Sequence, residues 1–193
     1  MTDAALHGTP DLADNPRLAI LRAKIGWICH AIRAATAVWL TWILVQLIIH
    51  WWDRASLEQN FFRYLDADIS GLSQFRYTLA FVLSLLVWVC AATLGYCIWR
   101  LFGSYLEGCI FTVDAALRMR AAAIAGFVAT FADVAHRPLY YLTLMGHLPG
   151  KVGLAAYVQP NDLLHLLLAC FILALATIFK TAAEIADDHS QIV

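Results

Sequence analysis

The chain has 193 residues, 62% of them hydrophobic and only 14% charged, with a formal net charge of −1. A soluble globular chain carries roughly 25% charged residues, so this one lacks the polar surface to cover a soluble fold and reads as an integral membrane protein. A net charge near zero leaves no overall footprint for nucleic acid, and direct nucleic acid binding is not expected.

Residues 1–14 are polar and are expected to be flexible, with a single membrane domain over 15–193. The opening has no basic stretch followed by an early apolar core, so no cleavable signal peptide is expected and the first apolar segment should stay as a span. A helix opens next: Asn15 suits its cap and Pro16 its first position. Leu18, Leu21, Ile25, Ile28 and Ile32 fall on one face, with Arg17 and Lys24 elsewhere. Such a basic amphipathic helix lies on an anionic leaflet, or it extends the first span.

Residues 34–52 carry no charge and have the length to cross about 30 Å of hydrocarbon, with Trp51 and Trp52 as an aromatic belt. In the loop that follows, Ser56 and Gln59 fit a capping box, and Leu57, Phe61, Tyr64 and Leu65 form an apolar stripe. A short helix at the outer interface is expected there. Residues 77–99 make a second uncharged span between Arg76 and Arg100. Thr112 reads as the cap of the third helix, with Asp114 in its first turn and a start near Val113. The third span, 121–145, is interrupted by Asp133, His136, Arg137 and Pro138, and the fourth, 163–179, is closed by Lys180. The expected fold is an all-α, four-helix membrane bundle.

The cysteines, Cys29, Cys90, Cys97, Cys109 and Cys170, include no C-x-x-C pair. They read as free, small, buried residues rather than a zinc site. The pairs Ala91/Gly95 and Ala122/Gly126 have the spacing of close helix packing. Arg17, Arg22, Lys24, Arg33, Arg100, Arg118, Arg120 and Lys180 fall on one side of the four spans, against Arg54, Arg63, Arg76, Arg137 and Lys151 on the other. The bias puts both termini in the cytoplasm.

Two segments, "GCIFTVDAALRMR" and "IFKTAAEIADDHSQIV", resemble the bacterial membrane family known as domain of unknown function 2975. Gly108, Phe111, Thr112 and Arg118 match its turn before span three, and Glu184, Asp187, Asp188, Ile192 and Val193 its acidic, apolar-ended tail. Asp114 stands where the family's acid is longer, and Ala115 where asparagine is common. The resemblance implies four spans and no known activity. It also implies membrane-held control of a soluble partner, since some members are encoded beside small helix-turn-helix regulators.

The polar residues of span three invite a functional reading. In a helix, Asp133 and Arg137 are at i, i+4 in the favourable order, and His136 shares their face. Measured from Arg120 at about 1.5 Å per residue, Asp133 lies ~20 Å and Arg137 ~26 Å deep, near the outer interface. His50 and His165 belong to the same layer, as does Asp162. In the plain reading, Asp133 and Arg137 neutralise each other, so that losing one hurts more than losing both. The functional readings are haem b or a metal held by His50, His136 and His165, and a proton-sensing His–Asp pair.

No hydrolase, nucleotide-binding or metalloprotease motif occurs. The expected role is therefore a non-enzymatic accessory or regulatory subunit. It would meet another protein through Phe111, Thr112, Asp114, Arg118, Glu184, Asp187 and Asp188 and would need no cofactor. A haem or metal carrier is the alternative. A small transporter ranks below both, because four spans offer little room for a pathway and no inverted repeat is visible.

Overall fold

The computed structural model describes residues 16–65, 71–108, 112–146 and 157–191. The expected flexible stretch 1–14, the cap at Asn15, and Phe111, Cys109 and Lys151 lie outside them. Five helices follow in chain order: α1 (Pro16–Trp52), α2 (Arg54–Leu65), α3 (Gln74–Leu106), α4 (Val113–Met145) and α5 (Pro160–Gln191). Among the described residues, four are long and apolar enough to cross a membrane. The amphipathic N-terminal segment is not a separate element. It continues into the first span as one 37-residue helix, roughly 55 Å long at 1.5 Å per residue. Each of the spanning helices overruns the apolar segment that marks it in the sequence. Water outside the bilayer tolerates charged helix ends, and every added turn closes its own backbone hydrogen bonds.

Local chemistry sets the helix ends. Thr112 has extended backbone and its hydroxyl accepts from the Ala115 N–H at 3.1 Å, so α4 starts at Val113 as its sequence predicts. Thr112→Ala is expected to cost about 1 kcal/mol, and Thr112→Ser close to nothing. Thermal unfolding of the detergent-solubilised protein checks this. At the other end Gly146 takes the left-handed conformation (φ 74°) and donates its N–H to Leu142. Pro138 does not break α4, which runs on to Met145.

The cap of α2 is Asp53, not Ser56. The Asp53 carboxylate accepts the Ala55 N–H at 3.0 Å and the Ser56 hydroxyl at 2.6 Å. A carboxylate outcompetes a hydroxyl for the positive end of a helix, and these bonds hold the Asp53 carboxyl below the usual carboxylate range. Arg54 then ties α2 back to the chain, donating to Glu58 at 2.9 Å and to the Leu72 carbonyl at 2.6 Å. Of the expected α2 stripe, Leu57 is buried; the side chains of Phe61, Tyr64 and Leu65 lie outside the described set.

Threonine and serine survive inside the spans by turning their hydroxyls onto the backbone one turn back. Thr36 bonds Ile32, Ser84 bonds Ala80, Thr93 bonds Val89 and Thr130 bonds Gly126, all within 3.0 Å.

The spans pack as an open row. α3 lies against α1 and α4, and α4 against α5; among the described residues the backbones of α1 and α5 do not approach within 8 Å. Gly95 makes the α1–α3 contact close: a Cβ there would stand 2.5 Å from Leu40 Cδ1 and 3.2 Å from Thr36 Cγ2. At the end of the bundle nearest α2, Trp51, Leu57, Leu72, Ala80 and Leu144 form one core cluster. Trp51 is its hub, meeting Tyr77, Phe81 and Tyr140 edge-on at 5.1, 5.8 and 6.1 Å between centroids. The two tryptophans expected as a belt therefore divide: Trp51 is 7% exposed and belongs to the core, and Trp52, at 84%, keeps the belt position. At the opposite end Leu101, Met119 and Ala176 form a second cluster, and Arg33 stacks on Trp99 at 4.0 Å. The described cysteines are free, but Cys170 is exposed on α5 rather than buried. A thiol on a lipid-facing surface needs no core to hide in.

Candidate functional site

The polar layer of α4 is a triad, not a pair. The Arg137 guanidinium donates from one nitrogen to Asp162 Oδ2 at 2.6 Å and to the Tyr157 carbonyl at 2.9 Å. Its other nitrogen donates to Asp162 Oδ1 at 2.8 Å and to Asp133 Oδ2 at 2.5 Å. The two Asp162 bonds form the planar two-pronged pairing that suits arginine and carboxylate. Asp162 is held from its own side as well. Pro160 opens α5, and Asp162 in the first turn reaches back to accept the Gln159 N–H at 2.7 Å. This is the acid half of a capping box, so one carboxylate both starts α5 and locks it to α4.

Burial ranks the three side chains. Asp162 is 5% exposed, Arg137 21% and Asp133 46%. An unpaired charge in a span costs about 2.5–3.5 kcal/mol at mid-membrane on insertion scales. Arg137 avoids that cost by engaging two acids and a carbonyl. Two carboxylates against one guanidinium leave a formal excess of one negative charge, carried by the least buried member, Asp133.

His136 does not join the triad. Its Nε2 lies 3.1 Å from the Ser84 hydroxyl on α3, and its ring packs on Tyr140. No hydrogen bond links it to Asp133 among the described residues, although the two are i, i+3. His50 reaches the Tyr140 hydroxyl at 3.0 Å and so ties α1 to α4. His165 stands on α5 beside an opening between the helices. The three histidines thus share a layer but face different neighbours. Among the described residues no three His, Cys, Asp or Glu side chains converge as a metal site would require.

The residues expected to meet a partner pair locally. Asp114 and Arg118 are 2.6 Å apart within one turn, and Arg118 also reaches the Arg100 carbonyl at 3.4 Å. Thr112 is occupied as a cap. Glu184 pairs with Lys180 at 3.3 Å. Asp187 and Asp188 lie on the last turns of α5, and their side chains fall outside the described set.

The open row leaves a groove of about 530 Å³ between α1 and α5, with α3 and α4 as its floor. Small residues, Ala91, Ala122, Ala123, Gly126 and Ala129, recess that floor, and Asp133, Arg137 and Asp162 stand at its end nearest α2. Neither the groove nor the role of Asp162 follows from local sequence. The nearest signal is the Pro160 and Asp162 spacing of a helix start, at the depth of Arg137.

Four apolar helices with charged groups confined to a paired layer and to the ends define a multi-pass α-helical membrane protein. The chain belongs to the family described as protein of unknown function (DUF2975), whose sequence profile matches residues 23–193. It matches no curated protein and no solved structure.

Proposed function

We propose that this protein is a non-enzymatic accessory or regulatory subunit of the bacterial inner membrane, with both termini cytoplasmic, which acts by contact with another protein. The observation that supports this reading is the overhang of its helices. The charge-free apolar segments begin at residue 34 and end at residue 179, whereas α1 begins at Pro16 and α5 continues to Gln191. With four spans, both overhangs and the α3–α4 turn lie on one side of the bilayer. The first overhang carries Arg17, Arg22 and Lys24, and the second Glu184, Asp187 and Asp188. Charged helical ends standing clear of lipid offer a soluble partner a rigid, two-signed surface. The α3–α4 turn, whose Asp114 and Arg118 neutralise each other, contributes shape more than charge.

The test has two readouts. In a cysteine-free background, single cysteines at Glu58 and Lys151 should react with an impermeant reagent added outside, and those at Ala5 and Gln191 should not. After gentle detergent extraction, a second protein should co-purify and be lost when Asp187 and Asp188 are replaced by lysine, and the complex should show no haem absorbance. Outside labelling at Ala5 would reverse the orientation. A protein that always purifies alone, or one with a haem band lost in His136→Ala, would overturn the reading.

A further inference from the structure

The groove between α1 and α5 has no part in the partner contacts above, and its chemistry is specific enough to name an occupant. We propose that it binds a single-chain amphiphile with a cationic head, its ammonium beside Asp133 and its hydrocarbon chain along the floor of α3 and α4.

Size and shape come first. A volume of about 530 Å³ sits within the roughly 300–1,000 Å³ of small-ligand pockets. From Arg137 to Ala122 the groove follows α4 for some 22 Å at about 1.5 Å per residue, so it is a slot rather than a bowl. Its floor is built to stay open. A Cβ on Gly126 would meet only Leu94 Cδ1, at 3.7 Å, whereas one on Gly95, on the α1 side of α3, would strike Leu40 at 2.5 Å. Of the small residues in the sequence, then, Gly95 serves helix packing and Gly126 serves space. Trp39 and Ile43 of α1 and Leu168 and Ile172 of α5 form the walls.

The outer end selects against a helix. His50 on α1 bonds Tyr140 on α4 at 3.0 Å, and Arg137, one turn below, bonds Asp162 on α5. These contacts tie both walls to the floor at the outer end. A spanning helix needs about 30 Å of unobstructed slot and is roughly 10–12 Å across, so it would have to displace them. A flexible chain entering sideways from the bilayer would not.

Charge selects the head. Two carboxylates oppose one guanidinium at the mouth, and Arg137 Nη1 and Nη2 are already engaged. Asp133 is the half-exposed member and lines the groove. An anionic head would meet the acids, and the four Nη protons of Arg137 are already taken. A phospholipid ammonium brings its phosphate with it. A simple amine or quaternary ammonium completes the charge balance. It also finds aromatic surface, because Trp88 lies one helical turn from Ser84, the α3 residue that contacts His136 in the same layer.

The full-length protein in phosphatidylcholine nanodiscs would be titrated at low micromolar concentration with an undecyl chain brominated at its end, carrying either trimethylammonium or sulfate. Bromine quenching of tryptophan is the readout. Saturable quenching by the ammonium compound is expected, with the sulfate at least about tenfold weaker, the factor expected for loss of a charge-assisted contact. Asp133→Asn should weaken the ammonium compound by a similar factor without changing the unfolding temperature, because Asp162 still holds Arg137. Ala129→Trp should block quenching by filling the slot. Gly126→Leu provides a second filling variant should the tryptophan disturb folding. Equal quenching by both head groups, or indifference to Asp133→Asn and to filling, would overturn the proposal as simple partition into lipid. So would a groove-dependent dimer in native mass spectrometry, which would assign the surface to a second copy.

Discussion

Asp162→Ala is expected to be the most damaging single substitution in the polar layer, costing about 3 kcal/mol or more, the scale for stripping one partner from a buried ion pair. It removes both prongs from Arg137 and the acceptor of the Gln159 N–H. Asp133→Ala should cost no more than about 1 kcal/mol, the range of exposed pairs, because Asp162 continues to neutralise Arg137. The triad also redirects the rescue. From the sequence, Asp133 and Arg137 form an isolated pair, and deleting both should restore part of what deleting one destroys. In the structure that double change strands Asp162, 5% exposed, and should not rescue. Asp162→Ala with Arg137→Leu strands only the half-exposed Asp133 and should recover part of the loss. Thermal unfolding in detergent, run as two double-mutant cycles, measures the couplings. Equal costs for Asp133→Ala and Asp162→Ala would show that the triad does not rank by burial.

Gly95→Leu should rival that effect by forcing α1 away from α3. Overpacking a tight contact costs about 1–3 kcal/mol, and here it disrupts the one backbone-close contact of α1 with another span among the described residues, leaving side-chain ties such as His50 to Tyr140. Gly95→Ala should be nearly neutral. The helical preference of alanine returns up to about 1 kcal/mol, and the atom it meets first, Leu40 Cδ1, is the end of a flexible side chain. Gly126→Leu on the next helix should leave stability almost unchanged, because its side chain enters the groove. Parallel melting curves for the three variants decide this. A Gly126→Leu loss as large as that of Gly95→Leu would mean the slot is closed by packing.

The spans were legible because a bilayer enforces a local rule: some 20 apolar residues must satisfy their own backbone. Thr112 was legible for the same reason, since a cap and its acceptor lie three residues apart. What escaped was everything that depends on rotation or on distant partners. Trp51 and Trp52 are neighbours of one type, yet a turn of about 100° sends one into the core and the other to the surface. The sequence reads Ser56 as the cap of α2, but Asp53 takes it, a choice made by where α1 ends. Asp133 could be matched to Arg137 by counting four residues along a helix, but Asp162 is reached only across the loop and the start of α5. The groove was invisible for a further reason. A helix that is apolar all round carries no mark of which face meets lipid and which meets protein, so the space between α1 and α5 has no signature in hydrophobicity.

The order of the helices in the row also bears on how the protein is made. α1, α3, α4 and α5 stand side by side in the order in which they leave the ribosome. Each new span finds its neighbour already waiting in the bilayer. The α1 backbone does not wait on α5, as it would if the row closed into a ring, although its His50 and Trp51 still have to meet Tyr140 of α4. Contacts between consecutive spans keep sequence separation short, which favours rapid assembly. The last step, docking α5 through Asp162 onto Arg137, buries the guanidinium only after its second acid has arrived. Until then Arg137 has only Asp133, on its own helix, to neutralise it.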